Sequence, residues 1–229
     1  VHEVPIADEA TLFLWEVLTN NKDTLEALRE TISCIEHDRI DLAYQKQVNL
    51  KSGKLVGLEA LLRMRDEDGN IIPNDKFIPL IEGESLFSLV VMASLEKLKE
   101  AFDLKNEVDM SGVTIYLNVS AHTAMQENFT NIFIEYVKEL NLQPGELGLE
   151  ITETAELEDV KKAGESFQKL KDFGIPLAID DFGAGYSSLS YLRDLPVDSV
   201  KLDKVFSQTI SEKTTSELIK FVVSVCDTL

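Results

Sequence analysis

Hydrophobic and polar positions alternate along several segments in the second half of the chain. In residues 113–120, valine, isoleucine and leucine occupy the odd positions, whereas threonine, tyrosine, asparagine and serine occupy the even ones. This period of two predicts a β-strand with one buried face. The predicted strands are 113–119, 146–151, 175–180 and 198–202, and the predicted helices lie near 123–140, 156–173, 186–193 and 204–228. Such strand–helix alternation indicates a mainly parallel sheet with helices outside it.

The first half of the chain follows a different pattern. Residues 10–38 carry apolar residues at helical spacing, and residues 1–36 are interpreted as a helical connector that either follows an upstream domain or covers one end of the fold. Strand-like runs at 42–50 and 55–64 are joined by the turn 51–54, which predicts an antiparallel hairpin. A segment that contains Phe77 and Pro79 then leads into a helix near 85–102.

The polar faces of the predicted strands define a candidate site. Since helices must cover the apolar faces, the polar faces point to solvent in an open sheet and to the interior in a closed barrel. Four polar residues lie on these faces near the C-terminal ends of successive strands, where β/α barrels assemble their sites: Glu59, Asn118, Glu150 and Asp180. Arg63 lies on the face of Glu59, and Lys201 follows on the next strand after the acids.

The residue types at this site indicate a metal. Three carboxylates, one amide and the adjacent Asp181 form an all-oxygen set that suits one or two Mg²⁺ or Mn²⁺ ions. Such ions promote phosphoester hydrolysis. From the residues alone, we therefore interpret the site as one for metal-assisted phosphoester hydrolysis. A metal-dependent aldolase or an enolase-like barrel would use similar ligands and stays an alternative. For the pair Asp180 and Asp181, a turn in which one acid caps the next helix is a further alternative.

Charge and cysteine content narrow the function classes. The 229 residues include 22 Lys and Arg against 41 Asp and Glu, a net charge of −19 that disfavours a nucleic-acid polymer or an anionic membrane as the main partner. A small phosphorylated ligand would be held by metal and by local cations such as Arg63 and Lys201. The two cysteines suggest neither a disulfide framework nor a thiolate metal site, so we expect a cytoplasmic protein whose membrane anchor, if any, lies outside this sequence.

Several ordered motifs resemble the EAL domain, the bacterial family of cyclic di-GMP phosphodiesterases. The resemblance covers roughly residues 36–229, so we assign 37–229 to an EAL domain. The matching motifs are Tyr44-Gln45, Glu59-Ala60-Leu61 with Leu62-Arg63, Phe77-Ile78-Pro79-Leu80-Ile81-Glu82, Asn118-Val119-Ser120, Glu150-Ile151-Thr152-Glu153, Asp180-Asp181-Phe182-Gly183-Ala184-Gly185-Tyr186-Ser187-Ser188 and Lys201-Leu202-Asp203. The implied fold is a TIM-like (β/α) barrel with an antiparallel first strand, and the implied reaction converts cyclic di-GMP to linear pGpG.

The resemblance also implies roles for individual residues. Metal ligands would be Glu59, Asn118, Glu150 and Asp180, with Asp181 at a second metal or its bound water. Lys201 would hold the attacking water or the phosphate. Arg63 would contact substrate phosphate, although a structural pairing with Glu59 is the alternative. Glu153 would brace the loop 182–188, through which the family couples dimerisation to metal binding, or would be a solvated acid. Gln45, Phe77 and Pro79 would line the ligand groove.

Two departures from the family pattern qualify these expectations. Met64 stands where the family often has tryptophan. The family continues beyond the position of Leu229 with two strands that carry a catalytic glutamate and guanine contacts, so the barrel is expected to be incomplete as given and this piece to be impaired in catalysis. The alternative function is an inactive EAL domain that acts as a cyclic di-GMP receptor or interaction module. An upstream sensor or GGDEF domain is the expected partner within the chain.

Overall fold

The computed structural model describes residues 22–82, 87–105, 111–152, 160–183 and 189–228. Seven strands form one sheet: β1 Ile40–Val48, β2 Leu55–Arg65, β3 Ile71–Ile72, β4 Thr114–Ser120, β5 Leu147–Thr152, β6 Leu177–Phe182 and β7 Ser199–Leu202. The helices are α1 at 22–36, α2 Asn74–Ile81, α3 Phe87–Lys105, α4 Ala121–Ala124, α5 Glu127–Glu139, α6 Val160–Asp172, α7 Leu189–Asp194, α8 Lys204–Gln208 and α9 Lys213–Cys226.

The strand order confirms the predicted architecture. The sheet runs β1-β2-β4-β5-β6-β7, with β1 antiparallel to β2 and every later neighbour in this path parallel. The short β3 pairs antiparallel with the end of β2. Within the described residues β1 and β7 are not paired with each other, so the sheet is a barrel wall that stays open.

The apolar face of the sheet packs beneath the helices. In β4, Ile115, Leu117 and Val119 are buried, whereas Thr114, Tyr116 and Asn118 on the other face are only half-buried. Phe133 of α5 and Phe167 of α6 are fully buried in the same core. The alternation predicted from the sequence is therefore confirmed in this strand, and the polar face points away from the helices.

Helix α1 packs against this core as well. Ala27 and Cys34 belong to the main apolar cluster, and Thr31, fully buried, donates its hydroxyl to the carbonyl of Ala27 at 2.7 Å. The described part of the connector therefore lies on the body of the fold. Residues 1–21 lie outside the described residues, and the proposed division of the chain at residue 36 stays a prediction.

Several local features differ from the sequence interpretation, and the helix expected near 123–140 is one of them, since it is divided into α4 and α5. Residues 74–81 form helix α2 although Pro79 lies inside it. Phe77 and Ile81, on one face of that helix, are buried in the core. This tertiary packing overrides the low helix propensity of proline. Strand β3, at two residues, is too short to leave an alternating pattern. The expected helix 204–228 is divided into α8 and α9, and Asp203 caps α8 through a hydrogen bond from the Val205 N–H.

No helix in the described part of the chain combines the length and the apolar character needed to cross a bilayer. Both cysteines are free, Cys34 in the core and Cys226 at the surface.

Candidate metal centre

The polar faces of five strands meet at the carboxyl end of the sheet. Glu59 projects from β2, Asn118 from β4, and Glu150 from β5. Asp180 and Lys201 come from β6 and β7. Parallel pairing places Asn118 opposite Glu150, so residues far apart in the chain become neighbours on one face.

Three carboxylates converge there. Oxygen atoms of Glu59, Glu150 and Asp180 lie within 4.8 Å of one another, close enough to hold one ion. Asn118 joins this group through Glu59, since its Nδ2 donates to Glu59 Oε1 at 3.0 Å. Because Mg²⁺ and Mn²⁺ prefer carboxylate and amide oxygens, the donor set fits a hard divalent cation. The structure thus brings together the four residues that the sequence singled out as ligands, while their role in binding metal stays a prediction.

Lys201 lies at the centre of the carboxylates. Its Nζ donates to Glu59 Oε2 at 2.8 Å, to Glu150 Oε2 at 2.5 Å and to Asp180 Oδ2 at 3.1 Å. Burial lowers the pKa of Lys201, but the hydrogen bonds to Glu150 and Glu59 outweigh this effect and raise its pKa above the ordinary value. When all groups are ionised, three carboxylates and one ammonium leave a net charge of two negative units, which one divalent cation would neutralise.

Glu150 is the most buried acid of the centre. Its side chain is 1% exposed, and the centre of β5 is buried on both faces. Burial raises the pKa of Glu150 from 4.5 to about 7, hydrogen bonding and charge from Lys201 oppose this shift, and the neighbouring Glu59 adds to it. At neutral pH the charged form of this carboxylate therefore depends on the positive charge beside it.

A β-bulge places two consecutive acids at the mouth of the centre. Ile179 pairs with Val200 and Phe182 with Leu202, so Asp180 and Asp181 together face the single residue Lys201. Asp181 has φ 53°, a conformation that aspartate tolerates better than most residues, and its N–H donates to Asp180 Oδ1 at 2.9 Å. Burial raises the pKa of Asp181, and the charges of Asp180 and Asp203 raise it further.

A groove of about 380 Å³ opens beside the carboxylates. Its polar lining includes Glu59, Asn118, Asp180 and Asp181, and Pro79 of α2 belongs to its apolar lining. Such a mixture of apolar wall and convergent polar groups is typical of a small-molecule site. Pro79 therefore lies beside the centre, and its contact with a ligand stays a prediction.

The other residues assigned to the substrate lie in different surroundings. Phe77 is 5% exposed and packs in the core instead of reaching the groove. Gln45 pairs with Glu59 across β1 and β2 and is exposed. Arg63 Nη1 donates to the Leu62 carbonyl at 2.7 Å.

Glu59 pairs with Lys201 and Asn118, so the structure does not show the pairing with Arg63 that the sequence left open. Glu153 and the greater part of the loop 182–188 lie outside the described residues. Their assigned roles therefore stay predictions.

Sequence reasoning missed one residue at this centre. Gln47 of β1 donates from Nε2 to Glu150 Oε1 at 2.8 Å. It lies two positions after Gln45, hence on the same face of β1. The alternation of the hairpin could have identified it, because an amide on the polar face of a predicted barrel strand points towards the acids.

The fold and the centre define a class of protein: an α/β protein with a TIM-like barrel sheet and an acidic centre at the carboxyl ends of its strands. A family model, the EAL domain, matches residues 25–229. The chain belongs to the EAL family.

Named relatives and a solved structure agree with this assignment. The chain is 34% identical to the cyclic di-GMP phosphodiesterase PdeA of Borreliella burgdorferi over 200 residues, which are 86% of this chain and 29% of PdeA. It is 27% identical to the bifunctional diguanylate cyclase/cyclic di-GMP phosphodiesterase MucR of Pseudomonas aeruginosa, covering 92% of this chain and 31% of MucR. A solved structure of the MucR phosphodiesterase in complex with c-di-GMP superposes with a TM-score of 0.78 at 27% identity, covering 90% of this chain and 82% of that one.

The chain thus spans less than a third of the length of these two curated relatives. The greater part of each relative is therefore unmatched by this chain.

Proposed function

We propose that this EAL domain hydrolyses cyclic di-GMP to linear pGpG in a reaction that depends on Mg²⁺ or Mn²⁺. The observation that carries the proposal is the convergence of Glu59, Glu150 and Asp180 from three strands to within 4.8 Å, next to a groove of about 380 Å³. The names of PdeA and MucR and the ligand of the MucR structure support the choice of substrate.

The proposed metal ligands are Glu59, Asn118, Glu150 and Asp180, with Asp181 placed for a second ion or its water. A divalent ion bound by these residues would polarise a phosphoryl oxygen and lower the pKa of a water beside it. The raised pKa of Asp181 and its place on the groove suit a carboxyl that accepts and releases a proton at the water.

Lys201 and Arg63 supply the positive charge of the site. The Lys201 ammonium has three donor hydrogens and lies among the acids, so it can orient a water or a phosphate oxygen beside them. Arg63 would contact a substrate phosphate, and Gln45 and Pro79 would line the ligand. These local charges are required because the net charge of −19 repels an anionic dinucleotide at long range.

The wider assembly is also a proposal. We expect a homodimer through the region of loop 182–188, with Glu153 bracing that loop, and an upstream sensor or GGDEF domain. The bifunctional name of MucR supports the latter. Two free cysteines fit the reducing cytoplasm, and the acidic surface argues against a nucleic-acid polymer as partner.

The direct test is turnover by the full-length protein. Incubation with cyclic di-GMP and Mn²⁺ should yield pGpG on anion-exchange chromatography, and EDTA should stop the reaction. Glu59→Ala should abolish turnover because it removes one of the three converging carboxylates. Glu165→Ala, an exposed acid on α6, is the matched control and should leave turnover unchanged.

Two results would count against the proposal. If no pGpG forms with Mg²⁺ or with Mn²⁺, hydrolysis of cyclic di-GMP is excluded. Cyclic di-GMP binding that survives both EDTA and Glu59→Ala, without any turnover, would instead identify a metal-independent receptor.

A further inference from the structure

Gln47 contacts the one acid of the centre that solvent does not reach. Its Nε2 donates to Glu150 Oε1 at 2.8 Å, while Lys201 Nζ donates to the other oxygen, Oε2. The two carboxylate oxygens of Glu150 are thus divided between two donors. Since Glu150 is 1% exposed, water is not available to replace a donor that is lost.

Gly57 makes room for this contact. It lies opposite Gln47 in the antiparallel pairing of β1 and β2, at a point where the pairing register shifts immediately afterwards. A Cβ atom added at Gly57 would collide with Gln47 Oε1 and would lie 3.3 Å from the carbonyl oxygen of Thr114. Any larger residue would therefore push the end of the Gln47 side chain away from its present position.

We propose that Gln47 is a positioning residue which, in the space left by Gly57, holds Oε1 of Glu150 so that Oε2 is the oxygen presented to the metal centre. The inference rests on the proposed function, because it takes Glu150 as a metal ligand. It assigns to the edge strand β1 a part in forming the centre. Gln47 acts through Glu150 and touches neither metal nor substrate.

The physical reason is the cost of orienting a buried carboxylate. Without the amide donor, Oε1 loses the hydrogen bond that Gln47 gives it, and the carboxylate is free to change its orientation. Groups that hold metal ligands by hydrogen bonds typically contribute about 10- to 100-fold in metal affinity. The same range is expected here.

The test measures Mn²⁺ affinity of the full-length protein by isothermal titration calorimetry. Gln47→Met keeps the length of the side chain and removes its donor, so it should weaken Mn²⁺ binding by about 10-fold or more. Lys46→Met is the matched control: it lies on the opposite face of β1, is exposed, and should bind Mn²⁺ as the wild type does. Urea unfolding in the presence of EDTA is recorded for each variant, so that the stability of the metal-free protein is known separately from its Mn²⁺ affinity.

A double-mutant cycle provides a second measurement. Gly57→Ala should also weaken Mn²⁺ binding, because the new methyl group displaces the tip of Gln47. Added to Gln47→Met, it should weaken binding by less than it does in the wild type, since the amide it displaces is already gone.

The outcomes separate this inference from the proposed function. A wild type that binds no Mn²⁺ would overturn both. If the wild type binds Mn²⁺ and the Mn²⁺ affinity of Gln47→Met is within about twofold of the wild-type value, only the role of Gln47 is overturned. This holds even if the variant is less stable to urea. Additive losses in the cycle would overturn the role of Gly57 as the space that admits Gln47.

Discussion

Glu150 combines deep burial with a negative charge, and replacing it tests the electrostatics of the centre. We expect Glu150→Gln to remove most of a pH-dependent loss of stability from the metal-free protein. The carboxyl has a pKa of about 7 in the native state and 4.5 as its ordinary value. Between these values the native state binds a proton that the unfolded state has released, so stability falls as pH rises through this window.

The magnitude follows from the pKa values. Each pKa unit corresponds to about 1.4 kcal/mol, so the full effect above the native pKa is about 3 kcal/mol. Because the isoelectric point is near 4.5, solubility limits the accessible range. From about pH 5.5 to about pH 8 the wild type should lose roughly 2 kcal/mol relative to Glu150→Gln.

The assay is urea unfolding followed by circular dichroism in EDTA across this pH range. Glutamine has a single acceptor oxygen for the two donors Gln47 and Lys201, which costs stability at every pH. The diagnostic quantity is therefore the change with pH in the difference between the two unfolding free energies. Glu165→Gln, at an exposed position of α6, serves as the control and should run parallel to the wild type.

Added Mg²⁺ provides the second arm of this test. An ion that binds the native state stabilises the wild type and should raise its unfolding free energy, whereas Glu150→Gln should gain less because it has lost a carboxylate of the centre. A difference between wild type and variant that stays constant from about pH 5.5 to about pH 8 would refute the reasoning. So would an equal gain from Mg²⁺ in both proteins.

Two further predictions concern packing and thiol reactivity. Gly148→Ala should lower the unfolding free energy by about 1–3 kcal/mol in urea titrations, because its Cβ would lie 2.5 Å from the Tyr116 ring. Gly164→Ala is the control and should not lower it, because the nearest atom to its Cβ would be 3.7 Å away. Equal losses in the two variants would contradict this explanation. Iodoacetamide should label Cys226 in the folded protein and should label Cys34 only after urea is added. Cys34 is fully buried, and burial raises its pKa to about 11. Mass spectrometry of the intact protein would count the labels, and two labels in the native state would contradict the prediction.

Much of the fold was predictable because its signals are local. A period of two along a strand and a period of 3.6 along a helix are set by neighbouring residues, and together they indicated the parallel sheet and its helical cover. The failures also have local causes. Helix α2 was not predicted because it contains Pro79, a residue of low helix propensity. Strand β3, at Ile71–Ile72, is too short to show a period.

The candidate site was predictable in its membership but less so in its geometry. Alternation placed Glu59, Asn118 and Glu150 on one face, and the rule that parallel strands share a carboxyl edge brought them together. Phe77 shows the limit of this reasoning. Its motif suggested the groove, whereas the orientation of α2 buries it in the core.

The sequence alone determined which residues can reach the polar face, the all-oxygen character of the donor set and the net charge that any ligand must overcome. Only the tertiary structure decided that Lys201 lies among the acids, that Glu150 is almost fully buried, and that Gln47 supports it. The reason is distance along the chain: Lys201 is 142 positions from Glu59, and Gln47 is 103 positions from Glu150. Contacts of that separation depend on how strands are registered and curved, which no local pattern specifies.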